Sequence, residues 1–324
     1  METRLNTMLK SRIGNVEINP CIMNASGPRC ITESELIDIA HSDSGAIVTK
    51  TMTLDSRKGN PEPRYFADSF GSINSSGLPN LGYKEYSRII SKLKNKMYRD
   101  MSKGKKPKPI IASISGTKYD DFSMMAREMS KIADIVEVNL SCPNVIGKPQ
   151  IAYDFETSEK LLAELRSVIK VPMTVKLPPY LDTVHRKQMS DILLKSKVDG
   201  ITLINSIGHT LIIDSNKEES VIKPNNGLGG LGGKYIKPVA LGNIWGFYSF
   251  IGKKIPIIGV GGIYSGKDAY EHILAGASAV QIATAYQEQG VEVFSQVKHE
   301  LEQILKEKRV RSIQDKIGKL KILS

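Results

Sequence analysis

Eight short apolar, β-prone runs punctuate this chain, each separated from the next by a segment of helical character. They are Cys21–Ala25, Ala46–Lys50, Ile110–Ile114, Ile135–Leu140, Met173–Leu177, Ile201–Asn205, Ile257–Val260 and Ala279–Ala283. Runs so rich in Ile and Val, with so little polar alternation, suit strands buried on both faces, as in a parallel sheet covered by helices. Between them, stretches such as Thr32-Glu-Ser-Glu-Leu-Ile-Asp-Ile39 and Ser158-Glu-Lys-Leu-Leu-Ala-Glu-Leu165 combine helix-start signals with periodic apolar residues. Eight β-α units predict an α/β fold, a closed (β/α)8 TIM barrel. Thr3 to Glu17 reads as a short peripheral hairpin turning at Ile13-Gly-Asn15. The 324 residues exceed the ~250 usual for such a barrel but suit one with insertions, so residues 1–324 are expected to form a single domain.

The competing architecture is a doubly wound open sheet, whose dinucleotide form needs a Gly-x-Gly-x-x-Gly turn after its first strand. Here the first strand ends in Asn24-Ala-Ser-Gly27. The glycine-rich Gly227-Leu-Gly-Gly-Leu-Gly-Gly233 follows the polar Lys223-Pro-Asn-Asn226 rather than a strand, and reads as a mobile or ligand-contacting loop. Two connections are long, Thr51 to Tyr83 and Ser206 to Tyr235. Long connections without secondary structure in a compact domain are usually active-site loops or lids.

Composition excludes several function classes. No apolar run approaches the ~18 residues of a membrane span and the N-terminus lacks a signal-peptide pattern, so a cytoplasmic protein is expected. Cys21, Cys30 and Cys142 are too few and too scattered for a disulfide framework or a zinc site, and the five histidines never pair at ligand spacing. No metal is expected. The net charge of +11 is spread over helical segments with few interleaved aromatics, which favours a solvated surface over nucleic-acid binding.

In such a barrel the chemistry lies at the C-terminal ends of the strands. Those ends are polar here: Asn24-Ala-Ser-Gly27, Lys50-Thr51, Asn139, Lys176 and Asn205-Ser206. Two lysines among carboxamides suit a planar heterocycle bearing carbonyls and a carboxylate. The fourth strand breaks into Ser141-Cys-Pro-Asn144, placing a thiol between Asn139 and Asn144, whereas Cys21 and Cys30 lack such surroundings and read as packing residues. After the seventh and eighth strands, Gly261, Gly262 and Thr284 fit a phosphate held by backbone N–H groups. Phosphate at one side and lysines at the centre suggest flavin mononucleotide (FMN).

The chain resembles the class 1A dihydroorotate dehydrogenases. The resemblance rests on Met23-Asn-Ala-Ser-Gly27, Gly59-Asn-Pro-Glu-Pro-Arg64, Gly71-Ser-Ile-Asn-Ser-Ser-Gly-Leu-Pro-Asn80, Asn139-Leu-Ser-Cys-Pro-Asn-Val145, Gly147-Lys-Pro-Gln150, Val175-Lys-Leu-Pro-Pro179 and Asn205-Ser-Ile-Gly208. It implies an FMN-binding barrel that oxidises dihydroorotate to orotate, passes the electrons to fumarate to give succinate, and works as a homodimer in pyrimidine biosynthesis. It further implies Cys142 as the catalytic base, removing a proton from C5 while a hydride leaves C6 for the flavin. Lys50, Asn74, Asn139, Asn144, Asn205 and Ser206 match positions holding orotate or the flavin edge, and the backbone amides of Ser76, Gly77 and Leu78 would face the substrate carboxylate. Ala25, Ser26, Thr51, Lys176, Gly232, Gly233, Gly261, Gly262, Ala283 and Thr284 match flavin contacts. The family usually has Met in place of Ser76, Asn in place of His209 and Gly in place of Ala283; none of these departures replaces a reacting group. A related flavin barrel that uses NAD through an iron-sulfur partner, or that acts on another dihydropyrimidine, is the nearer alternative. A non-enzymatic phosphate-ligand or nucleic-acid-binding barrel is the more distant one.

Overall fold

The computed structural model describes residues 7–101, 107–141 and 150–323. Its strands are β1 (Ser11–Ile13), β2 (Val16–Ile18), β3 (Ile22–Asn24), β4 (Ile47–Val48), β5 (Tyr65–Asp68), β6 (Gly71–Asn74), β7 (Ile110–Ile114), β8 (Ile135–Asn139), β9 (Met173–Leu177), β10 (Gly200–Leu203), β11 (Ile207–Thr210), β12 (Ile213–Asp214), β13 (Glu219–Ser220), β14 (Gly229–Gly233), β15 (Ile257–Val260) and β16 (Ala277–Ile282). The helices are α1 (Glu33–His41), α2 (Tyr83–Met101), α3 (Tyr119–Met129), α4 (Phe155–Val168), α5 (Thr183–Lys195), α6 (Lys237–Ile251), α7 (Gly266–Ala275), α8 (Thr284–Gln289) and α9 (Glu292–Glu307).

The eight apolar runs form one parallel sheet in the order β3-β16-β15-β10-β9-β8-β7-β4. Its two outer strands meet, so the sheet curls into a nearly closed barrel. At that seam a side chain stands in for the missing ladder: the Asn24 carboxamide accepts from the Val48 amide at 2.9 Å and donates to the Val48 carbonyl at 2.7 Å. Burying an amide is costly unless both its ends are satisfied, and here the backbone of the neighbouring strand satisfies both. Outside the barrel, aliphatic side chains such as Val136, Val138 and Ile258 belong to one continuous core with helix residues such as Leu162, Leu193 and Ile273.

The helix signals at Thr32 are realised as a capping box. The Thr32 hydroxyl accepts from the Glu35 amide, and the Glu35 carboxylate accepts from the amide of Thr32. The helix expected from Ser158 begins earlier, at Phe155, because Asp154 caps it by accepting from the Thr157 amide. Ser158 instead donates its hydroxyl to the Ile151 carbonyl.

Two expectations are corrected. The N-terminal hairpin is not peripheral, since Ile13 and Ile18 are fully buried and the turn at Gly14 sits against Pro172 at the foot of β9. The two long connections are not structureless lids. They contribute β5 and β6, and β11 and β14, to one antiparallel sheet in the order β11-β14-β6-β5. Gly230 pairs with Asn74 and Gly232 with Ser72, so the glycine-rich stretch expected to be a loop is a central strand of this sheet. The sheet roofs the C-terminal mouth of the barrel. No helix among the described residues is long and apolar enough to cross a membrane.

Candidate active site

Between barrel mouth and roof lies a cavity of about 500 Å³. Every described residue that the resemblance assigns to substrate or flavin lines it. Ala25, Ser26, Lys50, Thr51, Asn139, Lys176, Asn205, Ser206, Gly261, Gly262, Ala283 and Thr284 come from the barrel rim, while Asn74, Ser76, Gly77, Leu78, Gly232 and Gly233 come from the roof. Cys142 and Asn144 lie outside the described residues.

The two lysines do not reach out to water, the commoner fate of such side chains. Lys50 is 8% exposed and Lys176 only 5%. Lys50 donates to the Gly27 carbonyl at 2.7 Å, and Lys176 donates to the Ser26 hydroxyl at 3.3 Å. An ammonium carries three donors, and a single hydroxyl is weak compensation for removing Lys176 from water. The site therefore suits a ligand that brings carbonyl oxygens or negative charge to this wall.

The carboxamides flank Lys176, since Asn139 is its register partner on β8 and the Asn205 backbone amide donates to the Leu177 carbonyl at the end of β9. Asn139 donates to the Thr51 hydroxyl at 3.1 Å and accepts from the amide and hydroxyl of Ser141, both at 3.0 Å. Asn205 donates to the Ser141 carbonyl at 2.7 Å and accepts from the Ser206 amide at 2.9 Å. On the roof, Asn74 donates to the Gly230 carbonyl and accepts from the Ser76 hydroxyl, both at 3.2 Å. The loop beyond turns through the left-handed region at Gly77 (φ 70°) and Leu78 (φ 57°), the latter unusual for a branched side chain. Asn60 braces it, donating to the Ser75 carbonyl at 2.8 Å, and Arg64 in turn donates to the Asn60 carbonyl at 3.1 Å. Among the described residues the amides of Ser76, Gly77 and Leu78 donate to no protein acceptor. Consecutive unsatisfied N–H groups at positive φ form an anion-binding concavity.

At the far end the cavity narrows between Gly232, Gly233, Gly261, Gly262, Ala283 and Thr284. Gly261 (φ 126°) and Gly262 (φ 75°) pack on α6, where added Cβ atoms would meet the Ala240 Cβ at 2.9 Å and the Lys237 Cβ at 2.4 Å. Backbone conformation and packing thus already demand glycine there. What points to a ligand is that the amides of Gly261, Gly262 and Ile263 donate to no acceptor among the described residues. Gly232 is different. A Cβ there would stand 3.2 Å from both the Ser72 and Thr284 hydroxyls, inside the space those groups border. Free amides and two hydroxyls around a gap fit a phosphate group.

One departure in the sequence is explained locally. His209 sits at φ 58°, a conformation that His, like Asn, adopts more readily than most residues. Cys21 and Cys30 are fully buried, and loss of hydration pushes both thiols up to about 12, which makes them inert at neutral pH. Sequence reasoning gave no role to Glu137, which is fully buried inside the barrel beneath the cavity. Its carboxylate accepts from Ser113 at 3.1 Å, Thr202 at 3.0 Å and Gln281 at 3.2 Å. A charged residue on an otherwise apolar parallel strand was the available signal, because such groups are rarely buried unless partnered. The Gln281 carbonyl oxygen, also buried, has no partner among the described residues, and the residue lines the cavity.

Comparison with known proteins places these features in context. The family model for dihydroorotate dehydrogenase matches residues 8–305. A dihydroorotate dehydrogenase A (fumarate) of Lactococcus lactis subsp. lactis is 46% identical over 318 residues, covering 98% of this chain and all of the relative. The protein of the same name from Lactococcus lactis subsp. cremoris is 45% identical over 318 residues, with the same coverage. In fold, the chain matches the crystal structure of an Eimeria tenella dihydroorotate dehydrogenase in complex with ferulenol, with a TM-score of 0.82 at 22% identity, over 96% of this chain and 88% of that one.

Proposed function

The chain belongs to the dihydroorotate dehydrogenase family, and from that premise we propose that it oxidises dihydroorotate to orotate with bound FMN and fumarate as acceptor. The observation that carries this reading is the division of one cavity into three chemistries: buried lysines, fixed carboxamides, and a glycine-lined end with unsatisfied amides. FMN fits that division: the glycines would hold its phosphate and Lys176 would stand beside its ring, and when bound it would supply the acceptor for the hydride leaving C6 of the substrate.

The chain's own residues do the rest. Cys142 takes the proton from C5, and its thiol must ionise to do so. Lys50, Asn139, Asn144, Asn205 and Ser206 grip the pyrimidine carbonyls and ring nitrogens, with Asn74 fixing them from the roof. The amides of Ser76, Gly77 and Leu78 receive the substrate carboxylate, so the side chain at position 76 need not be the Met usual in the family. Lys176 supplies fixed positive charge where the flavin becomes more electron-rich, and Ala25, Ser26, Thr51, Gly232, Gly233, Gly261, Gly262, Ala283 and Thr284 seat the cofactor. The protein acts as a cytoplasmic homodimer in pyrimidine biosynthesis.

Purified protein is expected to be yellow and to bleach when dihydroorotate is added without oxygen. Colour should return with fumarate, and not with NAD or a quinone. Cys142→Ala is expected to lower turnover by orders of magnitude with flavin content unchanged; an active Cys142→Ala protein would remove the thiol from the mechanism.

A further inference from the structure

Glu137 is not an isolated buried charge. From its Oε1 an unbroken series of hydrogen bonds climbs to the cavity: Ser113 Oγ to Glu137 at 3.1 Å, Thr51 Oγ1 to Ser113 at 2.9 Å, and Asn139 Nδ2 to Thr51 at 3.1 Å. It continues through Ser141 Oγ to Asn139 Oδ1 at 3.0 Å and Asn205 Nδ2 to Ser141 Oγ at 3.1 Å. Glu137, Ser113, Thr51 and Ser141 are at most 1% exposed and Asn139 is 4% exposed, so water does not interrupt the path.

We infer that Glu137 is a positioning residue, which through this relay reinforces the orientation in which the Asn139 and Asn205 carboxamides present themselves to the substrate. The inference rests on the function proposed above. Its logic is that of donor supply. A carboxylate only accepts, and all three of its partners here are donors. Ser113 has one hydroxyl proton and commits it to Glu137, so it can only accept from Thr51. Thr51 then has only a lone pair to offer Asn139, which must turn its NH₂ downward and its oxygen toward Ser141. Ser141 gives its proton to that oxygen and accepts from Asn205, whose oxygen is left to the Ser206 amide. Backbone groups favour the same orientations, the Ser141 and Ser206 amides donating to the two carboxamide oxygens and the Ser141 carbonyl accepting from Asn205. The relay thus adds side-chain partners of matching polarity to an orientation that suits one pattern of ring carbonyls and N–H groups. Preorganisation of this kind lowers the cost of binding.

Orotate binding, followed by calorimetry and by the flavin absorbance change on the FMN-loaded protein, tests this. Glu137→Gln introduces an NH₂ that can oppose the Ser113 proton, and Ser113→Ala cuts the path one step higher. Each is expected to raise the orotate Kd about tenfold, the effect of one well-placed hydrogen bond, and the double variant should be no worse than either single one. Thr202→Val removes a donor from the other carboxylate oxygen, outside the path. It should lower Tm yet leave the orotate Kd within about twofold of wild type. If Glu137→Gln does not fold, Ser113→Ala alone against Thr202→Val decides. Unchanged orotate affinity in Ser113→Ala, additive losses in the double variant, or an equal loss in Thr202→Val overturns the relay. A wild-type protein that binds FMN but not orotate overturns the proposed function itself.

Discussion

At the scale of single residues, burial of a polar group with an incomplete set of partners suppresses its charge, and His272 on α7, packed between that helix and the barrel strands, shows the consequence. Its Nδ1 lies 2.9 Å from the Asp268 carbonyl, which the neutral ring can satisfy as a donor, but Nε2 is buried without a partner among the described residues. Burial therefore pulls its pKa down from 6.5 to about 4. The unfolded chain takes up a proton near pH 6.5 and the folded one does not until about pH 4. The contribution of this residue is thus constant above pH 6.5 and is lost as pH falls from there toward 4. Between pH 7.5 and pH 5 it amounts to about 2 kcal/mol. Urea unfolding at those two pH values should show that loss in the wild type. His272→Gln keeps a donor for the Asp268 carbonyl without a titrating group, and its stability is expected to fall less over the same interval by about that amount. Equal pH dependence in both proteins would show that the ring is not held neutral.

At the scale of elements, the barrel strands were readable because each is a local run, whereas the roof was not, because it is assembled across the chain. Asn74 pairs with Gly230, more than a hundred residues away, and neither β6 nor β14 carries the Ile- and Val-rich composition that marked the others. A strand of Gly-Gly-Leu-Gly-Gly has almost no intrinsic β-propensity and forms only because both neighbours supply its hydrogen bonds. The site residues on it were found by motif resemblance, not by recognising a strand. Glu137 escaped for a related reason, since its partners Ser113, Thr202 and Gln281 come from β7, β10 and β16, and only the closed barrel brings them together. The glycines of the far end separate conformation from ligand contact. Gly262→Ala is strained by both φ 75° and the 2.4 Å approach to Lys237, and should cost about 1–3 kcal/mol of stability by thermal melting. Gly232→Ala meets only two rotatable hydroxyls at 3.2 Å, so Tm of the flavin-free protein should hold while FMN affinity falls at least about tenfold. Undiminished FMN affinity in Gly232→Ala would mean that the phosphate does not lie there.

At the scale of the whole molecule, barrel and roof are two differently held bodies that share one cavity. The barrel is held by an eight-stranded parallel ladder, bridged at its seam by Asn24, and backed by the continuous apolar core, while the roof is a four-stranded sheet in which β5 is an edge with no fully buried residue. Some facing pairs, such as Ser72 with Thr284, are polar hydroxyl contacts, and the aliphatics Ile207 and Leu231 that pack from the roof onto the core are only partly buried. A ligand touching both bodies therefore contributes most to the less stable one, since binding stabilises whichever conformations it requires. Removing FMN is expected to speed amide hydrogen exchange in Tyr65–Asp68, Gly71–Asn74 and Gly229–Gly233, while exchange in the barrel strands Ile135–Asn139 and Met173–Leu177 changes little. Orotate added to the flavin-loaded protein should slow the roof further through the loop at Ser76 to Leu78. A uniform rise in exchange across both bodies on flavin loss would instead mean that the cofactor holds up the barrel as much as its roof, and that the two fold as one cooperative unit.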